Sequence, residues 1–486
     1  MTSAAPRYDH YIGGSLVAGT AYTENRNPSD TRDLIGLYAK GGAAEADAAI
    51  EAAARAFPRW AATPVAERSA VLHRISAGIT AREGELADML AREEGKTLAE
   101  ATGEVRRASA TFAYYAGEIL SARGSIYASL ATTATIETMH RPVGVIGIIT
   151  PWNFPIAIPA WKSAPALAYG NTVVLKPAEL TPGTSWLMAE IIHASGCPDG
   201  VFNFVMGSGR EIGARICESP DVQAITFTGS STVGRTVAAA AMAHGMKKVQ
   251  LELGGKNPLI VMDDADLEIA IDAAMDGAFG STGQRCTAAS RLIVHDAVHD
   301  QFVDALVQRM RAVTVGDARA AGTTMGPVVS ESQLEQDLEY IEIARAEGGR
   351  LAFGGGRVEA EAPGFYLQPT LFTHTDNDWR INQEEVFGPV ATVIRVQDYA
   401  EALQLADAVE YGLSASIITG SLARARDFSA RCRAGILAVN RSPAGTDYHV
   451  PFGGNKASSY GTREQGTAAR DFFTTTATVY TYAGDA

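Results

Sequence analysis

A cysteine stands in Gly283-Gln284-Arg285-Cys286-Thr287-Ala288, a Gly- and Ser/Thr-rich loop between a helical pattern and a strand. A thiol in such a loop is a nucleophile that a small substrate can reach once it is deprotonated. The adjoining Arg285 is the kind of cation that favours a thiolate if its side chain points that way. Read alone, the position better suits a buried structural cysteine, because free Cys packs as a small hydrophobe. A second run, Leu251-Glu252-Leu253-Gly254-Gly255-Lys256-Asn257-Pro258, ends an apolar strand on a carboxylate. Among apolar neighbours Glu252 would be held protonated to higher pH than usual and would serve as a general base near neutrality. A strand-end glutamate facing water fits the same local sequence. In Thr150-Pro151-Trp152-Asn153-Phe154-Pro155, which follows a buried strand, Asn153 offers an amide donor. Together with the backbone N–H of Cys286 it can hold a developing oxyanion, and ligands of open α/β sheets bind at such strand ends. The plain alternative is a Pro-bracketed turn.

Two glycine-rich segments are candidates for a dinucleotide. Gly207-Ser208-Gly209-Arg210-Glu211-Ile212-Gly213 has one residue too many before its last glycine to match the GxGxxG fingerprint. Phe227-Thr228-Gly229-Ser230-Ser231-Thr232-Val233-Gly234 follows a clear strand and opens a helix near Ser230, whose free N–H groups can meet a phosphate. Either also fits an ordinary strand-to-helix turn. Lys176-Pro177-Ala178-Glu179 closes another strand and sets a cation and a carboxylate where ribose hydroxyls can be held, or where both are simply solvated.

The elements that must position these groups are legible in the apolar periodicity. Residues 44–120 carry Ala-rich apolar positions at intervals of three and four, which predicts long helices interrupted near Pro58 and Pro64. Alternation over 135–141 predicts a half-exposed strand outside any fully buried sheet. Short apolar runs at 143–149, 172–175, 201–205 and 224–227 alternate with helical segments, as do runs at 259–261, 291–294, 390–396, 413–418 and 436–439. That alternation predicts two α/β units, each with a parallel sheet and right-handed crossovers. The tail 470–482 returns to Thr, Val and Tyr and is expected to be an exposed strand used in assembly.

The chain has 486 residues, 46% hydrophobic and 20% charged, which bounds it as globular with more than one core. A net charge of -14 argues against nucleic acid and anionic membrane as partners. Cys197, Cys217, Cys286 and Cys432 lie far apart, so neither a zinc site nor a disulfide framework is expected, and nine histidines form no HExxH-type cluster. No metal is expected. The first residues lead into a polar segment and no apolar run reaches the length of a membrane span, so the expected location is the cytoplasm.

Taken in order, these segments resemble the aldehyde dehydrogenase superfamily over residues 11–482, and Glu384-Glu385-Val386-Phe387-Gly388-Pro389 and Pro451-Phe452-Gly453-Gly454 are recurrent signatures of that family. The resemblance implies Cys286 as nucleophile, Glu252 as general base, and Asn153 with the Cys286 amide as oxyanion hole. It assigns Lys176 and Glu179 to the adenosine ribose, Gly229 and Ser230 to the pyrophosphate, and Glu385 and Phe387 to the nicotinamide ribose and ring. Thr150, Trp152, Gly209, Gly213 and Leu253 complete the cofactor site. A carboxylate at Glu179 disfavours a 2'-phosphate, so the implied cofactor is NAD, with NADP left open. The implied fold is α/β: a Rossmann-like cofactor domain (1–123 and 143–253), an α/β catalytic domain (254–440) and a small β oligomerisation element (124–142 and 466–486), giving a homodimer or homotetramer.

The implied reaction is oxidation of an aldehyde to its acid through a thioester on Cys286. A glutamate at 252 argues for release by water and against transfer to coenzyme A. Within the family, Ser281-Thr282-Gly283-Gln284-Arg285-Cys286-Thr287-Ala288, Arg463-Glu464-Gln465-Gly466 and Asp471-Phe472-Phe473-Thr474 resemble the subgroup oxidising 2,5-dioxopentanoate. Against that, family members acting on anionic semialdehydes often carry an arginine where this chain has Trp161 or Gly280. Arg441 or Arg285 is then the expected carboxylate anchor, whereas Trp161 and Phe452 would line a funnel for an aromatic or general aliphatic aldehyde. The remote alternative is a catalytically inert protein on the same fold, since fold alone does not imply activity.

Overall fold

The computed structural model describes residues 5–121, 124–130 and 134–482. The outer ends of the expected segments 1–123 and 466–486, and part of 124–142, therefore lie outside the described residues. Four helices, Ala43–Ala62, Val65–Ala81, Glu83–Glu94 and Leu98–Glu118, occupy the stretch expected to be helical. The first runs through Pro58, contrary to expectation. Its last turn is held down by Trp60, which is buried and donates from Nε1 to the Leu167 carbonyl at 3.2 Å. That anchorage offsets the one backbone hydrogen bond a proline removes near a helix end. Only Pro64, which caps the second helix, marks a break. Thr97 and Glu100 form a capping box at the start of Leu98–Glu118, fixing where that helix begins.

Five strands lie parallel in the order Lys248–Glu252, Ala224–Thr228, Val145–Ile149, Thr172–Lys176 and Phe202–Phe204, buried throughout except for the half-buried Lys248 and Val249. Strands covered on both faces read as continuous apolar runs, which is why the sequence exposed them. A polar side chain at such a position needs a partner: the Thr226 hydroxyl accepts from Lys162 Nζ at 2.7 Å and bonds to Gln250 Oε1 at 3.0 Å. Chain order reverses between Val145–Ile149 and Ala224–Thr228, so the switch point of this sheet lies beside the loop that carries Asn153. Two short N-terminal strands, His10–Ile12 and Ser15–Val17, extend one edge, and Ser459–Tyr460 pairs antiparallel with Leu251 and Glu252 on the other.

A second sheet orders Arg350–Phe353, Thr370–Thr373, Val390–Val396, Arg291–His295, Pro258–Val261, Ser414–Ile418 and Ile436–Val439, parallel except for the first pair. Residues 253–257 join the two sheets, so Glu252 ends one and Pro258 opens the other. Cys286 lies in the loop leading into Arg291–His295. The tail strand Thr474–Tyr482 pairs antiparallel along all nine residues with Ala134–Pro142, which also pairs with Ile126–Tyr127.

Candidate active site

Cys286 opens on two cavities. One, of about 500 Å³, is lined on its floor and sides by Trp152, Asn153, Gly229, Ser230, Leu253, Glu385 and Phe387. The other, of about 280 Å³, is lined by Lys96, Arg107, Phe154, Trp161, Thr446 and Phe452 among others. Cys197, Cys217 and Cys432 are buried, whereas Cys286 is partly exposed. Its loop is pinned from behind: Asn257 Nδ2 donates to the Cys286 carbonyl at 2.8 Å and to the Ala288 carbonyl at 2.9 Å. Ser281 and Thr282 both have positive φ, a left-handed conformation that costs non-glycine residues energy and persists only where the surroundings fix it. Here the Ser281 N–H donates to Glu100 at 2.6 Å and Thr282 Oγ1 to the Gly326 carbonyl at 3.2 Å.

Burial of the sulfur pushes the Cys286 thiol up to about 12, and the carboxylates of Glu385 and Glu252 push the same way. The resting group is therefore a thiol. Of the two orientations open to Arg285, the structure shows the one away from the sulfur: its guanidinium turns to the carbonyl of Asp276 and pairs with the Asp276 carboxylate at 3.4 Å.

Asn153 is buried, its Nδ2 donates to the Gln284 carbonyl at 3.0 Å, and its own carbonyl accepts from Lys96 Nζ at 2.8 Å. An amide nitrogen carries two hydrogens, so one remains for an oxygen held near Cys286. Glu252 is 2% exposed. Burial first, then the Glu464 carboxylate, hold its own carboxyl well above the usual range; Ser459, donating to Oε2 at 2.6 Å, opposes them. Oε1 has no partner. Glu252 does not line either cavity: it is turned toward Ser459 and lies against Gly453.

On the side of the larger cavity, Ser230 caps the helix Ser231–Ala243 by accepting from the Val233 N–H at 3.4 Å. The positive end of that helix faces the cavity, an arrangement that suits a phosphate. Glu385 accepts from the Gly255 N–H at 2.8 Å, and burial pushes its carboxyl up to about 7. Phe387, at positive φ, meets Trp152 edge-on with centroids 5.3 Å apart. Thr150 is buried with its hydroxyl unpartnered. Lys176 and Glu179 leave the neighbouring strand; burial pulls the lysine down to about 8 while Glu179 stays exposed. Gly209–Gly213 forms one wide π-helical turn, which is how the segment accommodates its extra residue, and a Cβ at Gly209 would lie 4.0 Å from the Lys176 side chain. None of these four residues lines the cavity that holds Cys286.

In the smaller cavity Trp161 and Phe452 meet at 5.5 Å with their planes tilted 35°. Trp161 Nε1 donates to Glu464 at 2.7 Å, which fixes the indole. Arg441 is exposed and lines neither cavity, so the geometry removes it as a neighbour of the sulfur. Among the described residues no cluster of His, Cys, Asp and Glu can hold a metal ion, and no helix is long and apolar enough to cross a membrane.

The aldehyde dehydrogenase family model matches residues 17–479. The chain is 43% identical to the alpha-ketoglutaric semialdehyde dehydrogenase of Bacillus subtilis, over 97% of this chain and 98% of that protein. It is 45% identical to the alpha-ketoglutarate semialdehyde dehydrogenase of Haloferax volcanii, over the same shares. Its fold superposes on the crystal structure of an NAD-dependent aldehyde dehydrogenase from Sinorhizobium meliloti with a TM-score of 0.96 at 36% identity, covering 99% of this chain and 96% of that one. The chain belongs to the aldehyde dehydrogenase family. It is thus an oxidoreductase, and the inert alternative falls.

Several residues of this aldehyde dehydrogenase site escaped the sequence reading. Lys96, Glu100, Glu104 and Arg107 all line the smaller cavity. Residues 100, 104 and 107 sit at i, i+4 and i+7 on one helix, so a polar stripe on an otherwise Ala-rich helix was the available signal. Ser459 and Asn257 offered none, since their roles depend on which strands become neighbours.

Proposed function

We propose that the chain oxidises 2,5-dioxopentanoate, or a related semialdehyde, at its aldehyde carbon to the carboxylic acid, with NAD as preferred cofactor. The observation that carries the reaction is the placement of the Cys286 thiol between two cavities, beside an amide donor, with a buried carboxyl near by. The substrate rests on the two semialdehyde dehydrogenases that the chain matches over nearly its whole length.

The larger cavity fits a dinucleotide: it has a helix N-terminus for phosphate and a glycine at 254 where a Cβ would come within 2.1 Å of Glu385, and Thr150, next in sequence to its lining residue Pro151, has a buried hydroxyl with no partner among the described residues. Gly229 and Ser230 would hold the pyrophosphate. Lys176, Glu179, Gly209 and Gly213 would hold the adenosine end; Thr150, Trp152, Leu253, Glu385 and Phe387 would hold the nicotinamide end. When bound, NAD(P)+ supplies the hydride acceptor.

The Cys286 sulfur, once deprotonated, adds to the aldehyde carbon, and the oxygen left with the charge is held by the second Asn153 hydrogen and the Cys286 N–H. Oxyanion donors of this kind are worth on the order of a hundred- to a thousand-fold in rate. After loss of the carbon-bound hydrogen with its electron pair, the carbon is a thioester on Cys286. Glu252 then takes a proton from water as the water oxygen adds to the thioester carbon; the carbon–sulfur bond breaks, the acid leaves, and the sulfur is protonated back to the thiol. To reach that water the Glu252 side chain has to turn away from Ser459.

The division into a cofactor domain (1–123 and 143–253), a catalytic domain (254–440) and an assembly element (124–142 and 466–486) belongs to the same proposal. The eight-stranded sheet also takes Ser459–Tyr460 from outside those intervals. Exposed Ile126, Tyr127, Tyr480 and Tyr482 on the small sheet favour a homodimer or homotetramer. Four free thiols suit the reducing cytoplasm. One other substrate class has an observation behind it: the Trp161–Phe452 pair would accept an aromatic aldehyde.

The test follows nicotinamide reduction by the purified enzyme with 2,5-dioxopentanoate, benzaldehyde and pentanal, using NAD and NADP in turn. The highest kcat/KM is expected on the dioxo acid with NAD. A preference for benzaldehyde would replace the substrate assignment, and a preference for NADP would remove the role given to Glu179.

A further inference from the structure

The walls of the smaller cavity carry three cations and three carboxylates: Lys96, Arg107 and Arg285, and Glu100, Glu104 and Asp276. Five of these six are committed. Glu100 accepts from the Ser281 N–H at 2.6 Å and from the Thr97 hydroxyl at 2.8 Å. Glu104 accepts from Lys96 at 2.6 Å and, on its other oxygen, from the Ile156 and Ala157 N–H groups, each at 3.1 Å. Lys96 gives a further hydrogen to Asn153, and Arg285 with Asp276 forms the pair that turns the guanidinium away from the sulfur.

Arg107 is the exception. Its Nη2 donates to two neutral oxygens, Thr446 Oγ1 at 3.1 Å and Gln465 Oε1 at 3.2 Å, and its Nε is buried without a partner. Among the described residues it makes no ion pair; Glu104 and Asp447 act on it only through space. Its guanidinium carbon lies 5.5 Å from the centre of the Trp161 ring, which Glu464 holds in place. A planar five-donor fork stacked on a fixed aromatic face is oriented before any ligand arrives. A half-buried guanidinium with unspent donors has lost water without gaining an anion, so a carboxylate brought to it gains a charge-assisted bond that no group of the protein already supplies.

We infer that Arg107 is the residue that selects the substrate's distal carboxylate, its guanidinium gripping the acid end while the aldehyde end reaches Cys286. This rests on the anionic-semialdehyde reading above. It also answers why Trp161 stands where an arginine would otherwise be: the cation reaches the same cavity from the helix Leu98–Glu118, and Trp161 is the surface it stacks on. Arg107 then acts on specificity, with chemistry left to Cys286, Asn153 and Glu252.

The test compares the wild-type enzyme with Arg107→Gln and Arg107→Lys on 2,5-dioxopentanoate and on pentanal. A second measurement needs no turnover: the rate at which iodoacetamide alkylates Cys286 with and without 2-oxopentanedioate, the dicarboxylate product. Removing a charge-assisted fork is expected to lower the ratio of kcat/KM values, acid over pentanal, on the order of tenfold to a hundredfold, mainly through KM. Arg107→Lys should recover part of it, and the dicarboxylate should protect Cys286 in the wild type but not in Arg107→Gln. A ratio and a protection unchanged in Arg107→Gln would overturn the assignment while leaving the substrate reading intact. An equal loss on both aldehydes, with protection kept, would make Arg107 a packing residue and overturn it too. If the wild type prefers pentanal, the substrate reading fails, and protection alone then decides whether Arg107 captures carboxylates.

Discussion

At Cys286 the burial that keeps solvent from the thioester also disfavours the thiolate that must attack. The free enzyme is therefore expected to be alkylated by iodoacetamide at a rate that climbs with pH through 9 without a plateau, as fits a thiol pushed up to about 12. Glu252 poses the opposite question, because a base must be ionised and burial holds this one protonated. Ser459 donates its hydroxyl hydrogen to the carboxylate and so favours the charged form. In Ser459→Ala that support is lost, the carboxyl is held protonated to still higher pH, and the acid limb of the kcat profile should move up by about half to one pH unit. A limb that stays put in a folded variant would mean that Glu252 is not the base limiting release. The apolar flanks of Glu252 made its shift legible in sequence. The orientation of Arg285 was not, because one side-chain torsion decides whether it faces the sulfur or Asp276. Arg107 was hidden for a similar reason, since Arg106-Arg107 on a helix reads as a solvated pair until the neighbouring helix and Trp161 are in place.

Most strands buried on both faces were legible to within a residue or two, because a parallel strand covered by helices is largely apolar, as Val145–Ile149 is; Thr370–Thr373, equally buried, was missed because only Leu371 and Phe372 in it are apolar. Two-residue strands such as Ser459–Tyr460 carry no such pattern, yet this one puts Ser459 against Glu252. The left-handed turn at Ser281 and Thr282 was also illegible, since neither residue is of a type that seeks positive φ. The connector between the sheets is more telling. Gly254 and Gly255 let three chains converge: a Cβ at 254 would meet Glu385 at 2.1 Å, and one at 255 would meet the Cys286 carbonyl at 2.6 Å. Gly254→Ala must therefore push the Glu385 carboxylate off the Gly255 N–H, and the KM for NAD is expected to rise roughly tenfold, the scale of one charge-assisted hydrogen bond. Initial rates at varied NAD and saturating aldehyde measure it. An unchanged KM for NAD would release Glu385 from the cofactor site.

Across the whole molecule the described chain closes on itself at its far end. Lys248, one strand from the switch point, donates to the carbonyls of Asp471, Phe472 and Thr474, and Asn171 donates to that of Phe473, so the helical turn before the tail strand is tied to the eight-stranded sheet. Past that anchor, Thr474–Tyr482 leaves the body and covers Ala134–Pro142, and the resulting sheet leaves Ile126 at 81% and Tyr480 at 71% exposure. Large apolar side chains that open on a small sheet are what an assembly contact removes from water, each burial worth about 1.5–3 kcal/mol. Ending the chain at Phe473 would test this poorly, because it bares the backbone of Ala134–Pro142 and invites aggregation through the free edge. The double variant Tyr127→Asp, Tyr480→Asp keeps the strand pairing and places charge on one face of the sheet, since both residues register on Ile136. In sedimentation velocity the wild type is expected as a dimer or tetramer and the double variant as a smaller species with its far-UV spectrum retained. Sedimentation at the same rate as the wild type would move the interface away from this sheet.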